Sequence, residues 1–370
     1  MTLHVFNPEH DIALARDDQY FTPPKAARTL RDGCGFLPAL WAGEDDYVLV
    51  ADVGKAEEHL VKTGVSTDNV NFITASELHD LPTDIAVEPW GWDSALCFQL
   101  ARHGLNRGCL PGDAELRDIR RLSSRAFSSR LLKLLRNSID DGSTFTVGQS
   151  IYVSDIKDVA IMVAKLDKVV LKEPWSCSGR GVRYIASAAG KCSGIKFESF
   201  EAPVANWVRN VIGQQGGIML EPYYNNVLDF GMEFQCQKQS VRYCGLSVFS
   251  TDNGFYNGNV VAPESYKLEI ISSMIAPERL LMVREAMEKI LSSEMGNGYS
   301  GPLGVDMMIV RMEDGSFRLH PMVEINVRRT MGHVSLSLFG RLPYELATVS
   351  LSGGMCSILP ISSNPPVILS

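Results

Sequence analysis

The sequence predicts a parallel, helix-flanked sheet over residues 1–112, then a larger α+β region built from antiparallel hairpins and helices. Three observations carry this reading. Short apolar runs alternate with helical patterns as far as about residue 110. A charged, helix-rich segment follows. From Ser143 onward, apolar residues recur with a period of two between turn residues.

LHVFN (3–7), YVLVAD (47–52), VNFIT (70–74) and DIAVEPW (84–90) read as short strands. The helical patterns between them are KAARTLRDGCGFLPALWAG, KAEEHLVKTG and DSALCFQLARHG, the last with Asp93 as N-cap. DAELRDIRRLSSRAFSSRLLKLLR, from Asp113 to about Arg136, is the charged helical segment. A last clear helix is expected over Pro277–Met295. No repeat of 20–50 residues is present. The expected divisions are 1–112, 113–220, 221–353, and an irregular Pro- and Ser-rich tail over 354–370.

Composition narrows the function classes. The chain has 370 residues, 45% apolar and 21% charged, which suits a globular protein of two or three units. A net charge of -8 argues against a broad nucleic-acid surface, which needs a basic stripe. No segment has the length and apolarity to span a bilayer, and the N-terminus lacks the marks of a signal peptide. The eight cysteines are scattered, with no Cys-Xaa-Xaa-Cys pair. Reduced thiols and a cytoplasmic location are the expectation.

The sharpest local signal is GPLGVDMMIV (301–310), a turn MEDGS, then FRLHPMVEINVRRTMG (317–332). On the second strand Arg318, His320, Glu324, Asn326 and Arg328 share one face; Phe317, Leu319, Val323, Ile325 and Val327 share the other. Oxygen donors held two residues apart suit Mg²⁺. Asp306 joins Glu324 and Asn326 only if the hairpin register is right. A two-residue turn at Asp314-Gly315 would pair Asp306 with Val323, on the wrong face. A three-residue loop or a bulge pairs it with Glu324, and Gly315 permits such a loop.

VVLKEPWSCSGRGVRYIAS (169–187) reads as strand, small-residue loop, strand. Ser176, Ser178, Gly179 and Gly181 leave backbone N–H groups open to phosphate oxygens, and Lys172 adds a point charge. The pattern is neither a P-loop nor the opening of a dinucleotide-binding βαβ unit. In IMLEPYYNNVLDFGMEFQCQ (218–237), an apolar strand ends at Glu221-Pro222, where a linker could meet an adenine edge. Asp229 and Glu233 follow at distances suited to a ribose hydroxyl or a metal-bound phosphate.

Taken in order, these segments resemble the ATP-grasp superfamily. Its pattern is a lysine-bearing strand, a small-residue lid, a hinge acid, then an Asp and a Glu-Xaa-Asn. Here these are Lys172, residues 176–181, Glu221, and Asp306 with Glu324-Ile-Asn326. Upstream, the helix-opening lysine of many members is matched by Arg125. The N-terminal region is similar to the Rossmann-like domain that precedes the grasp in such enzymes. The resemblance thus implies a pre-ATP-grasp domain over 1–112 and two α+β lobes over 113–220 and 221–353.

It also implies a chemistry: ATP phosphorylates a carboxylate, and an amine (less often a thiol) displaces phosphate from the acyl phosphate. Asp306, Glu324 and Asn326 would hold two Mg²⁺ ions, with Mn²⁺ an alternative. Lys172 and residues 176–181 would hold the α- and β-phosphates. Arg328 or Arg329 would face the γ-phosphate. Members often carry an Arg shortly before the metal Asp; here Leu303 and Gly304 stand there, which leaves Arg311, Arg318 or Arg328 for that role.

The substrate side offers Asn7, His10 and Asp11 after the first strand, where open α/β sheets bind ligands. Trp90, Trp92 and Asp93 follow another strand. A polar loop, DNGFYNGNVVAPES (252–265), brings Asn257 and Asn259. The expected partners are ATP and a small-molecule or peptide substrate, without nucleic acid or membrane, in a homodimer. The alternatives are a nucleotide-binding protein without ligase activity and a kinase-like phosphotransferase.

Overall fold

The computed structural model describes residues 1–361 apart from 66, 68–69, 140–144, 177–180, 187–189, 193–194, 238–239, 253–254 and 297. Strands β1 (Thr2–Val5), β2 (Tyr47–Leu49), β3 (Asn71–Ile73) and β4 (Ala86–Pro89) form a parallel sheet ordered β3-β2-β1-β4. Helices α1 (His10–Arg16), α2 (Lys25–Cys34), α3 (Val53–Thr63) and α4 (Ser94–Arg102) connect and flank it. Asp93 caps α4 by accepting from Leu96 N–H at 2.8 Å. Alternation along β1 sends Leu3 and Val5 against Leu96 and Leu100, while the His4 imidazole turns to Asp46 at 3.1 Å.

Helices α5 (Asp113–Leu122) and α6 (Arg125–Ser138) lead to a second, antiparallel sheet. Its order is β5-β10-β6-β7, from β5 (Ile151–Val153), β6 (Lys168–Lys172), β7 (Val182–Ala186) and, after a small ribbon of β8 (Gly190–Cys192) and β9 (Ile195–Phe197), β10 (Ile218–Pro222). Helices α7 (Ile156–Lys165) and α8 (Ala202–Gln215) cover one face of it through Val159, Val204 and Val208.

The third sheet has seven strands: β11 (Asn226–Gln237), β12 (Ser240–Asp252), β13 (Phe255–Val261), β14 (Gly301–Arg311), β15 (Phe317–Asn326), β16 (Ala347–Ser352) and β17 (Met355–Pro360). They lie in the order β15-β14-β11-β12-β13-β16-β17, with each neighbouring pair antiparallel. Helices α9 (Glu264–Ser272) and α10 (Pro277–Met295) bury Ile271, Val283, Met287 and Leu291 beneath it, and α11 (Met331–Leu338) packs on its other side. The fold is therefore a parallel α/β unit followed by α+β structure on antiparallel sheets. Among the described residues, no helix is long and apolar enough to cross a membrane.

Two expectations are corrected. The tail is ordered as far as Pro360: Gly353 and Gly354, at φ +58° and +81°, make a two-residue connection that pairs Ser352 with Met355. Leu351, Cys356 and Ile358 then pack on the core shared with Phe36, Leu37 and Val334. The prolines and serines of the tail concealed this hairpin; residues 362–370 lie outside the described set. Similarly, 255–261 is strand β13 rather than a loop. The pairing shifts from Ser250↔Gly258 to Thr251↔Tyr256, so Asn257 is the extra, exposed residue of a bulge.

His320 on β15 is fully buried against Gly148 and the Tyr224 ring, and among the described residues neither ring nitrogen has a hydrogen-bond partner. Burial pushes its pKa down to about 4 from 6.5. Below 6.5 the unfolded chain takes up a proton that the folded one refuses. Stability from this site is present above pH 6.5 and lost as pH falls toward 4. Urea unfolding from pH 7 to 4 should show that loss, and a His320→Gln variant should show a shallower one.

Candidate functional site

A cavity of about 980 Å³ lies between the second and third sheets and reaches the β1–α1 loop and α2. This is at the upper end of small-molecule pockets, about 300–1,000 Å³. The register of the third sheet builds one wall. Glu324 pairs with Asp306, Asp306 with Gly231, and Gly231 with Ser247. One row on, Asn326 pairs with Gly304, Gly304 with Glu233, and Glu233 with Gly245. Directly paired residues point to the same face, so three carboxylates and one amide share a patch of sheet whose remaining positions are glycine or serine.

Both register devices are present in the hairpin. Met312 N–H donates to Ser316 O at 2.8 Å, enclosing a three-residue loop with Gly315 at φ +81°. The pairing then jumps from Met308↔His320 to Asp306↔Glu324, leaving Pro321, Met322 and Val323 opposite Met307. The irregularity falls at a proline, which could not donate to a regular ladder. One face assignment changes as a result. Met322 enters the core with Leu319 and Ile325, whereas Val323, expected on the apolar face, lines the cavity beside Glu324.

The acids have different surroundings. Burial pushes the Asp306 carboxyl up to about 8, reinforced by the charges of Glu324 and Glu233. Asn326 Nδ2 donates to Asp306 at 3.0 Å, and its Oδ1 accepts from Arg328 at 2.8 Å. Burial also acts to raise Glu233, but His333 at 3.0 Å and the hydroxyls of Ser247 and Thr330, both donating at 2.8 Å, hold it below the usual range. A Cβ at Gly304 would stand 2.6 Å from a Glu233 oxygen, and one at Gly332 1.9 Å. The glycine before Asp306 is thus the space that Glu233 fills.

The second sheet supplies the opposite wall. Val182, Lys172 and Met219 form one cross-strand row, and Tyr184, Val170 and Glu221 the next. Lys172 Nζ meets Glu221 at 2.6 Å with both side chains buried. Tyr184, Phe197 and Tyr223 make an edge-to-face cluster, with Tyr184 and Tyr223 on the cavity. Asp229 accepts from Asn226 at 2.8 Å and Thr251 at 2.9 Å, and burial raises its pKa. It lies toward Lys172, while Glu233 lies toward Asp306.

Arg125, at the first turn of α6 behind its N-cap Ser124, joins the two walls. Its guanidinium donates to Glu324 at 2.7 and 3.1 Å, to Ser176 Oγ at 2.6 Å, and to the carbonyls of Glu173 and Ser176. This engagement differs from the phosphate contact expected of it: the forked donors face protein acceptors, and they fix Ser176 relative to Glu324. Gly181 closes against Ser176, where a Cβ would meet Oγ at 2.5 Å. Ser178 and Gly179 lie outside the described residues.

The remaining predicted residues divide. Arg328 lines the cavity, bonded to Asp11 at 2.9 Å and to Asn326. Arg329 does not: it stacks over Trp41 at 4.4 Å and stands 3.9 Å from Glu88. Arg311 stacks on Phe317, and neither it nor Arg318 lines the cavity. Asn7 and His10 are buried in the scaffold, Asn7 donating to Gly91 O at 2.8 Å and His10 lying 3.5 Å from Asp93. They fix the loop that presents Asp11, whose carboxyl Arg328 holds below the usual range against the opposing effect of burial. Asn259 faces the cavity and Asn257 does not. Lys25, Thr29, Tyr184, Ser247, Thr251 and Thr330 line it without having been singled out. Only Tyr184 had a signal, in the alternation of β7.

No family model matches the sequence, and no curated protein matches it. Among solved structures, the chain is similar to biotin carboxylase from Campylobacter jejuni, solved as a βγ-ATP complex. The TM-score is 0.51 at 12% identity, over 92% of this chain and 68% of that one. The chain has the ATP-grasp fold. N5-carboxyaminoimidazole synthetase from Staphylococcus aureus, solved with ADP, gives a TM-score of 0.49 at 13% identity, over 94% of this chain and 81% of that one. A structure from Archaeoglobus fulgidus described as an ATP-grasp superfamily protein gives 0.46 at 13%, over 98% and 100%. In ATP-grasp terms, the cavity lies between the two antiparallel sheets of the grasp. The parallel N-terminal sheet borders one end of it.

Proposed function

We propose that this chain is an ATP- and Mg²⁺-dependent ligase that joins a carboxylate to an amine through an acyl phosphate. One observation carries the reading: Asp306, Glu324 and Asn326 share a sheet face across a single cavity from Lys172. The biotin carboxylase that shares the fold was solved with a βγ-ATP ligand, which supports ATP as the nucleotide. On this reading residues 1–112 border the acceptor end, and 113–220 and 221–353 form the two lobes.

The donor set fits magnesium. All its donors would be hard oxygens, and Asp306 is a half-buried carboxyl raised by desolvation and by its acidic neighbours, which is what a divalent cation would relieve. Asn326 would turn its amide oxygen toward Asp306, giving up the contact to Arg328. Asp306, Glu324 and Asn326 would hold the ion, which would supply positive charge to offset the charge of phosphoryl transfer.

The chain's own groups supply the rest. Val170, Val182, Tyr184, Tyr223 and Met308 offer an apolar slot for adenine, with the Glu221–Tyr223 backbone along its edge. Asp229 is placed for a ribose hydroxyl. Lys172 carries charge for the α- and β-phosphates, in exchange for Glu221. A substrate carboxylate oxygen attacks the γ-phosphorus and ADP leaves. The amine lone pair then attacks the acyl carbon, phosphate departs, and the ammonium proton passes to solvent. Arg328, held by Asp11, faces the charge that develops in both steps.

A screen of carboxylate and amine pairs tests this. ADP and phosphate should appear in equal amounts only when ATP, Mg²⁺, a carboxylate and an amine are all present. Release of ADP with a carboxylate alone, leaving a stable phosphorylated product, would replace the ligase with a phosphotransferase. Location in the cytoplasm and a homodimeric state belong to the same proposal, and gel filtration checks the second.

A further inference from the structure

One part of the cavity's lining, drawn from a single apolar cluster, has a different chemistry from the rest. Phe6, Trp90, Leu30, Met331 and Leu351 line it. Phe6 and Trp90 are buried and meet edge to face at 5.0 Å, so this part of the wall is fixed. Helix α2 and the β16–β17 turn, which also line the cavity, are in contact. A Cβ at Gly33 would lie 1.7 Å from Gly354 O, and one at Gly354 2.7 Å from Thr29 O.

Among the described residues, four cations line the cavity. Arg125, Lys172 and Arg328 are committed to Glu324, Glu221 and Asp11. Lys25, exposed on the first turn of α2 where it borders the cavity, has no hydrogen-bond or ion-pair partner among the described residues. Asp11 and Arg328 line the same cavity, bonded to each other, with Arg328 also in contact with Asn326. An apolar chamber thus lies between one unpaired cation and an acidic reaction centre.

We infer that this part of the cavity is the acceptor subsite for a free α-amino acid with an aromatic or branched-aliphatic side chain. The inference rests on the ligase reading for its acceptor role. The amino acid's carboxylate meets Lys25, its side chain lies on Phe6, Trp90, Leu30 and Leu351, and its amine is directed to the metal-bearing face. A carboxylate paired with Lys25 is taken up by that contact, which leaves the amine as the reacting group. In the reaction the amine nitrogen bonds to the acyl carbon, the acyl–phosphate C–O bond breaks, and phosphate and one proton are released. A charged side chain would lose its hydration against the apolar wall with no partner to replace it.

Binding to the full chain, by calorimetry with Mg²⁺ and ADP present, tests the subsite without any need for turnover. Leucine and phenylalanine should bind at least about tenfold more tightly than aspartate or lysine, as expected for burial of an unpaired charge, and up to about fivefold more tightly than phenylalaninamide, which lacks the carboxylate for Lys25. Lys25→Ala should weaken phenylalanine by up to about fivefold, the scale of an exposed ion pair, and leave phenylalaninamide unchanged. Leu351→Glu should abolish the apolar preference without changing ADP affinity. Equal binding of all the amino acids, or no effect of Lys25→Ala on phenylalanine, would overturn the subsite. Amino-acid binding as described, with no phosphate release for any carboxylate, would instead overturn the ligase reading and the acceptor role with it.

Discussion

Asp306→Asn and Glu324→Gln should each lower phosphate release by a factor of about 10²–10³ or more, the scale of removing one preorganised electrostatic contact. Asn at 306 keeps the shape and can still meet Asn326, so circular dichroism and thermal melting should stay close to wild type. Gln at 324 removes the charge that Arg125 faces at 2.7 Å. It should therefore also loosen the bridge from Arg125 to Ser176, and raise the KM for ATP more than Asp306→Asn does. Full activity in both variants would remove the metal assignment.

The second large effect concerns the Lys172–Glu221 pair. Lys172→Met leaves Glu221 as a buried carboxylate whose ion-pair partner at 2.6 Å is gone. Breaking one side of a buried pair costs about 3–5 kcal/mol. The double change Lys172→Met with Glu221→Leu should recover much of that in urea unfolding, because no charge is left stranded. Neither variant should bind ATP well, since both lack the cation proposed to meet its phosphates. A double variant no more stable than Lys172→Met would mean that the pair is not what holds this wall.

How much was legible depended on whether a residue's role followed from the period of its element. The parallel order of the first sheet, Asp93 as a cap, and Lys172 facing inward beside Tyr184 all follow from local alternation and punctuation. So does the parity that places Asp306 opposite Glu324. Val323 was misplaced because three residues at Pro321–Val323 face one on β14, and a period of two cannot reveal that. Asn257 was misplaced for the same reason.

Other features are long-range. Arg125 bonds a residue 199 positions away, and nothing near either residue marks that contact. Asp229 and Glu233 are equivalent by spacing; only Thr251 on one side and His333 on the other separate them. Lys25 borders the cavity together with Gly353 and Gly354 of the β16–β17 hairpin, which a proline-rich tail conceals in the sequence. Gly304 departs from the family pattern, and Glu233, distant along the chain in a different hairpin, occupies the space a side chain there would need.

The central claim is that a carboxylate oxygen attacks the γ-phosphorus at this face. Isotope transfer tests it most directly. The carboxylate that supports turnover in the screen would be labelled with ¹⁸O in both oxygens and the released phosphate analysed by mass spectrometry. The acyl-phosphate route predicts one ¹⁸O in each phosphate released. Phosphate without label, formed at the same rate as ADP, would contradict it.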